Sequence, residues 1–276
     1  EAGFVRITNA DDAYACVQRA FFLARTESRP IVLNVPVELT HQEVDEYDDY
    51  VPSTALLATT HPVHPNPAAI TQAVDIIGAS QRPVIVVGRG AMSSGASQEI
   101  LELAERTGAV IATTLMAKNW LGDYAYHVGL TGLFATRTAI EIFADADCVV
   151  AFGASLNRYT TEHGFLYPNA QFVHVDSRPH VVMGDGRVAD CYVHADARLG
   201  AQALNAALED QSVRHVGYHT EDVLTHISHG FEDPRQYPSA PGTIDPRVAV
   251  RTLDEAMPSD IGMVLGGGHQ NHFGIM

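Results

Sequence analysis

The sequence predicts an α/β protein built on a doubly wound parallel sheet. Three observations predict it. Short apolar runs, "PVIVVG", "CVVAFG" and "QFVHVD", have the length and β-branched content of strands buried on both faces. Segments with apolar residues at three-and-four spacing separate these runs and read as helices. Glycines and polar residues follow the runs directly, as in the βα turns of open sheets.

Each element follows in order. Residues 11–25 read as a helix, with Ala13, Val17, Ala20, Phe21 and Ala24 on one face and Asp11 or Asp12 as cap. "PIVLNVP" supplies a short buried strand over 31–35. An acidic run from Glu38 to Asp49 and the proline-rich "VPSTALLATTHPVHPNP" read as exposed linker. Pro67 opens a helix to 79, and strands follow at 83–88 and 109–114 around a helix at 97–107. A helix at 137–144 turns Ala139, Ile140 and Phe143 inward. Strands at 148–153, 171–176 and 190–196 and a helix at 197–208 complete this part. Further helices are expected over 212–228 and 245–256, and "IGMVLG" reads as a last strand.

The organisation is then the tail of one domain (1–50), a linker (51–66), a complete Rossmann-like domain (67–210), a helix and linker (211–243), and the opening of another α/β unit (244–276). The chain starts on Glu1-Ala2-Gly3 and stops in a glycine loop, so both ends read as cut.

Bulk properties exclude several classes. The chain has 276 residues, 46% of them hydrophobic, and a formal net charge of −16. Such an acidic surface repels phosphate backbones and anionic bilayers, which argues against nucleic-acid and membrane partners. No apolar run approaches the ~20 residues of a membrane helix. Cys16, Cys148 and Cys191 are scattered without paired spacing, which suits a reduced, cytoplasmic compartment.

Ligands of open parallel sheets bind beyond the carboxyl ends of the strands. Four such ends carry suitable residues. "VVGRGAMSSGA" places Gly88, Arg89 and Gly90 where backbone N–H groups could approach a phosphate, although a tight βα turn has the same sequence. Thr114 and Leu115 follow the next strand. "FGASLNR" supplies Gly153, Ala154, Ser155, Asn157 and Arg158, the last with a fork of donors for a phosphate. Asp176 ends its strand and can accept a ribose hydroxyl or cap the next turn. Together they suit a dinucleotide or an adenosine phosphate.

Two metal readings compete with plainer ones. His61 and His64 form a pair without further ligands or a solvated turn. His215, His219, Asp222, His226 and His229 share a helical stripe, which is a metal site or an exposed polar face. No nucleophile elbow, HExxH or phosphate-loop lysine is present, so no residue is assigned to catalysis.

The stretches "RPVIVVGRGAMSSGA", "TTLMAK", "HVGLTGLFAT", "ADADCVVAFGA" and "YPNAQFVHVD" resemble the central domain of thiamine-diphosphate enzymes of the acetolactate synthase group. "PIVLNVPVE" is similar to the close of that group's pyrimidine-binding domain. "GGGHQ" is similar to the opening of its diphosphate-binding domain. The resemblance implies that Gly267, Gly268, His269 and Gln270 face thiamine diphosphate. It implies a 2-oxo acid carboligase or decarboxylase using thiamine diphosphate and Mg²⁺, with an acyl-CoA lyase of the oxalyl-CoA decarboxylase kind, or a non-catalytic nucleotide-binding module, as alternatives.

The group's central domains hold FAD, ADP or nothing. Flavin-type members carry Arg-Phe-Asp-Asp-Arg where this chain has Ser155–Leu156–Asn157–Arg158, and Ala135 replaces a common glycine. "GASLN" is closer to the oxalyl-CoA decarboxylase pattern, with Ser155 for its usual arginine. The resemblance further implies a homodimer or homotetramer and a 2-oxo acid or acyl-CoA substrate. The catalytic glutamate and the Mg²⁺ motif of the family lie outside these 276 residues, so the chain alone is expected to be inactive.

Overall fold

The computed structural model describes residues 2–43, 50–57, 61–179, 182–229, 238, 240–258, 261, 262, 264, 266, 268 and 275. The chain divides into two compact units, Glu1–His61 and Pro62–Met276.

In the first unit, β1 (Gly3–Arg6) pairs in parallel with β2 (Ile31–Asn34) across α1 (Ala13–Thr26). The sequence predicts a single strand here. β1 escapes that reading because "GFVR" is four residues long and ends on a charge. The predicted burial of β2 also fails: Val32 is half exposed, as is Phe21 of α1. A two-stranded sheet covered by one helix leaves its other face open. Asp12 does start α1, but its carboxylate takes a bond from Asn9 Nδ2 at 2.7 Å and caps no helical N–H. The predicted linker is partly tied down. Val51 N donates to Tyr14 Oη at 2.8 Å, Gln18 Nε2 to Val51 O at 3.1 Å, and Arg25 Nε to the buried Ser53 Oγ at 2.9 Å.

The second unit is a six-stranded, wholly parallel sheet. Its strands are β3 (Pro83–Val87), β4 (Val110–Thr113), β5 (His127–Leu130), β6 (Cys148–Phe152), β7 (Gln171–Asp176) and β8 (Cys191–His194). Their order is β5-β4-β3-β6-β7-β8. The chain lays strands outward from β3 to one edge, then outward from β6 to the other, so the topological switch point lies between β3 and β6. β5 was not predicted. It is a short edge strand broken by Gly129, and its register slips against β4 between Ile111 and Thr113.

The two-residue period of β structure divides the core. Ile85 and Val87 of β3, Val150 and Phe152 of β6, and Val173 and Val175 of β7 pack on one face. There they meet Ile77 of α2 (Pro67–Ala79), Ala91 of α3 (Arg89–Ser93), Leu103 of α4 (Ser97–Thr107) and Leu204 of α7 (Ala197–Asp210). Val84, Val86, Val149 and Phe172 face the other way, toward Phe143 of α5 (Arg137–Asp145) and Tyr167. β3 and β6 are buried along their whole length, which explains their unbroken apolar sequence. In α5 the predicted inward Ile140 is 44% exposed and Ile142 takes its place. Asn66, Thr136 and Asp196 cap α2, α5 and α7 with side-chain oxygens.

The helix predicted over 212–228 is shorter. Ser212 and Gly217 hold positive φ, so 212–220 turns and only α8 (Glu221–His229) is helical. The turn is pinned to the sheet domain by Tyr218 N to Gly108 O at 2.7 Å and Tyr218 Oη to Ile142 O at 3.0 Å. The helix expected over 245–256 is α9 (Pro246–Ala256), which starts behind Asp245. In "IGMVLG", Ile261, Gly262, Val264 and Gly266 show no strand, and Met263 and Leu265 lie outside the described residues.

Phe143 is fully buried between Tyr167, at 5.0 Å between ring centroids, and the sheet. Phe143→Ala is expected to cost about 3–5 kcal/mol in chemical denaturation. Phe165, 81% exposed, should tolerate Ser within about 0.5 kcal/mol in the same measurement.

Candidate functional site

Because all six strands are parallel, their carboxyl ends share one edge, and Gly88, Thr114, Gly153 and Asp176 lie along it. The structure therefore brings the four predicted loops together.

The centre of the edge is a contact between two backbones. Gly88 N donates to Phe152 O at 2.9 Å and Gly90 N to Gly153 O at 3.0 Å. A Cβ on Gly88 would stand 2.3 Å from Gly153 O, and one on Gly90 2.7 Å from Gly153 Cα. Gly153 has φ +54°, and its own Cβ would lie 2.4 Å from Ala91 N. These glycines let the β3 and β6 loops touch. Their sequence also fitted a phosphate cradle, but the amides of Gly88 and Gly90 are committed to carbonyls. The outward polar groups of these loops are side chains: Arg89, Ser155 and Arg158 are exposed.

Asn157 is a structural residue. Its Oδ1 accepts from Tyr159 N at 2.9 Å and Thr160 N at 3.2 Å, capping α6 (Arg158–Thr161), and its Nδ2 donates to Ser155 Oγ at 2.8 Å. Arg158 stacks 4.7 Å over the Tyr159 ring and donates to its hydroxyl at 2.6 Å. Leu156 between them is fully buried at φ +45°, a left-handed conformation held by its burial. Ala154 is also buried and its carbonyl is held from below by His174 Nε2 at 2.8 Å. His174 is absent from the sequence-level candidates. Its signal was only a polar residue inside an apolar strand. It is fully buried, its Nδ1 has no partner among the described residues, and burial lowers its pKa.

Asp176 is covered, with 6% of its side chain exposed. Arg178 grips it with Nε and Nη2, each at 2.9 Å, and adds its backbone N at 2.9 Å. Burial alone would raise the Asp176 pKa, but these bonds and the guanidinium charge outweigh it, and the net shift is downward. Thr114, nearly buried, donates its N–H to Val87 O at 2.9 Å, and Leu115 beside it is exposed. Beyond β4 and β5 lies a cavity of about 370 Å³ lined by Thr113, Lys118, Asp123, His127 and Thr136. Burial lowers the pKa of both Lys118 and His127 there, with Asp254 opposing it at Lys118.

The remaining candidates lie elsewhere in the sequence. Gly268 is exposed with φ +110°, while Gly267, His269 and Gln270 lie outside the described residues. The histidine stripe is broken, because His215 and His219 precede α8. His215 bonds Gly78 O at 3.1 Å, His219 stacks on Tyr126 at 4.1 Å, and His226 pairs with Glu141 at 3.1 Å. His61 and His64 are exposed, and no group of three metal-ligating side chains forms among the described residues. The three cysteines are free.

Residues 70–204 match the family described as thiamine pyrophosphate enzyme, central domain. The sheet domain thus matches the central domain of the thiamine pyrophosphate enzymes, and the chain is acetolactate-synthase-like. It is 29% identical to the acetolactate synthase large subunit of Corynebacterium glutamicum over 275 residues, covering 96% of this chain and 42% of that one. It is 31% identical to a probable acetolactate synthase large subunit of Methanocaldococcus jannaschii over 195 residues, 69% of this chain and 33% of that one. The chain thus spans less than half the length of these relatives. Benzoylformate decarboxylase from Polynucleobacter necessarius shares the fold, with a TM-score of 0.58, 17% identity, and coverage of 93% of this chain and 45% of that one. No described helix is long and apolar enough to cross a membrane.

Two pairs of variants test this geometry. Gly153→Ala adds a clash to an unfavourable φ and should cost about 2–4 kcal/mol in thermal or urea unfolding. Gly95→Ala, also at positive φ but in open space, should cost only about 1 kcal/mol. For the carboxylate, a depressed folded pKa means stability present above the unfolded value near ~3.9 and lost as pH falls through the folded value. Asp176→Asn should therefore destabilise by about 1 kcal/mol at pH 7, a modest figure because Arg178 is half exposed. The difference from the unchanged protein should shrink steadily in unfolding curves below about pH 4.

Proposed function

We propose that this chain works in a thiamine-diphosphate- and Mg²⁺-dependent enzyme that decarboxylates a 2-oxo acid and ligates or cleaves at its carbonyl, in the manner of acetolactate synthase. The observation that carries this is the alignment with acetolactate synthases along 96% of the chain. In this reading residues 1–50 close a pyrimidine-binding domain, 67–210 is the central domain, and 244–276 opens a diphosphate-binding domain. Thiamine diphosphate, when bound, supplies the carbanion that makes loss of carbon dioxide feasible. Of the four residues proposed to face its diphosphate, only Gly268 is described, so the fit of that group rests on the sequence.

The central domain offers a nucleotide edge between the β3 and β6 loops. FAD or ADP is the ligand class proposed there, held by Arg89, Ser155 and Arg158, since the glycine amides are taken. An acyl-CoA lyase is the second reading, favoured by Gly153–Asn157, "GASLN". We place the protein in the cytoplasm, where free thiols persist, and as a homodimer or homotetramer.

Protein expressed from the full reading frame should release carbon dioxide from pyruvate and form acetolactate when given thiamine diphosphate and Mg²⁺. Absence of both carbon dioxide release and thiamine diphosphate binding would overturn the proposal.

A further inference from the structure

At the end of β7, the charge that solvent meets is positive. Asp176 shows 6% of its side chain and Arg178 shows 53%. The arginine is also fixed in place. Its backbone N and two guanidinium nitrogens bond the Asp176 carboxylate, and its carbonyl accepts from Tyr192 Oη of β8 at 2.8 Å. The neighbouring Ser177 carbonyl is bonded by His194 Nε2, also of β8, at 2.9 Å. An arginine already ordered loses little further freedom on binding a ligand, and a planar guanidinium with donors to spare matches a phosphate.

A ribose diol at this position would need the covered carboxylate, already accepting three hydrogen bonds. A phosphate would need only the exposed side of Arg178. Nucleotide sites at strand ends separate these two ligands in this way, with an acid for a free ribose and an arginine for a phosphorylated one.

We propose that the central domain selects an adenine nucleotide whose ribose carries a phosphate, with Arg178 as the group that receives it. This rests on the reading above that the carboxyl edge of the sheet binds a nucleotide, and it narrows that reading from FAD or ADP to the ribose-phosphorylated class. Asp176 then acts through Arg178, as its anchor.

The test is calorimetric titration of the full-length protein with adenosine 3′,5′-bisphosphate, adenosine 2′,5′-bisphosphate and AMP. At least one bisphosphate should bind about tenfold more tightly than AMP, the effect of one charge-assisted hydrogen bond. Preference for the 3′ isomer marks a coenzyme A-type ligand, and preference for the 2′ isomer an NADP-type one. Arg178→Gln should abolish the preference while leaving AMP affinity unchanged, and it should lower the unfolding temperature because it removes the partner of the covered Asp176 carboxylate. AMP binding as tightly as both bisphosphates, or a preference that survives Arg178→Gln, overturns this inference and leaves the nucleotide edge standing. Failure of all three to bind removes the nucleotide edge itself and the inference with it.

Discussion

The sheet domain depends on a contact in which two loops meet without side chains between them. Gly88 and Gly90 leave β3, Gly153 leaves β6, and the backbones touch where β-carbons would overlap other atoms. The switch point of a doubly wound sheet normally opens a crevice. Here its floor is closed by two hydrogen bonds between the loops, Gly88 N to Phe152 O and Gly90 N to Gly153 O. Everything above the floor takes its position from it. Ala154 and Leu156 are buried just beyond, so Ser155 and Arg158 are directed outward from a fixed base. His174, in the neighbouring strand, holds the same loop through the Ala154 carbonyl.

A second constraint acts at β7 and β8. Tyr192 and His194 bond the carbonyls of Arg178 and Ser177, while Asp176 holds the Arg178 guanidinium. The edge is thus built twice over: backbone packing at β3 and β6, and a side-chain network at β7 and β8. The first sets where a ligand can lie, and the second sets which charge it meets. That division explains why a strongly acidic chain presents arginines 89, 158 and 178 along this one edge.

Strands buried on both faces were legible because burial on both faces forces an unbroken apolar run, as in β3 and β6. β1 and β5 were not, since four residues at a sheet edge carry too little pattern. The histidine stripe does not form because helical spacing stops at Gly217, whose positive φ belongs to a turn. At the edge, the glycines suit close approach of a phosphate or a tight turn alike, and in the structure what approaches Gly88 and Gly90 is the β6 loop. Spacing cannot tell a peptide from a phosphate. Asp176 was legible as a strand-end acid. Its covering by Arg178 was not, because a side chain two residues on can point either way until Tyr192 and His194 fix its backbone.

Native-state hydrogen exchange at the amides of Gly88 and Gly90 tests the central claim most directly. If the loops close on each other as described, both amides should be protected to nearly the degree of Val86 in β3, opening only with the sheet. Exchange at the rate of an exposed loop would mean that these N–H groups are free, and that the glycines form an open cradle instead.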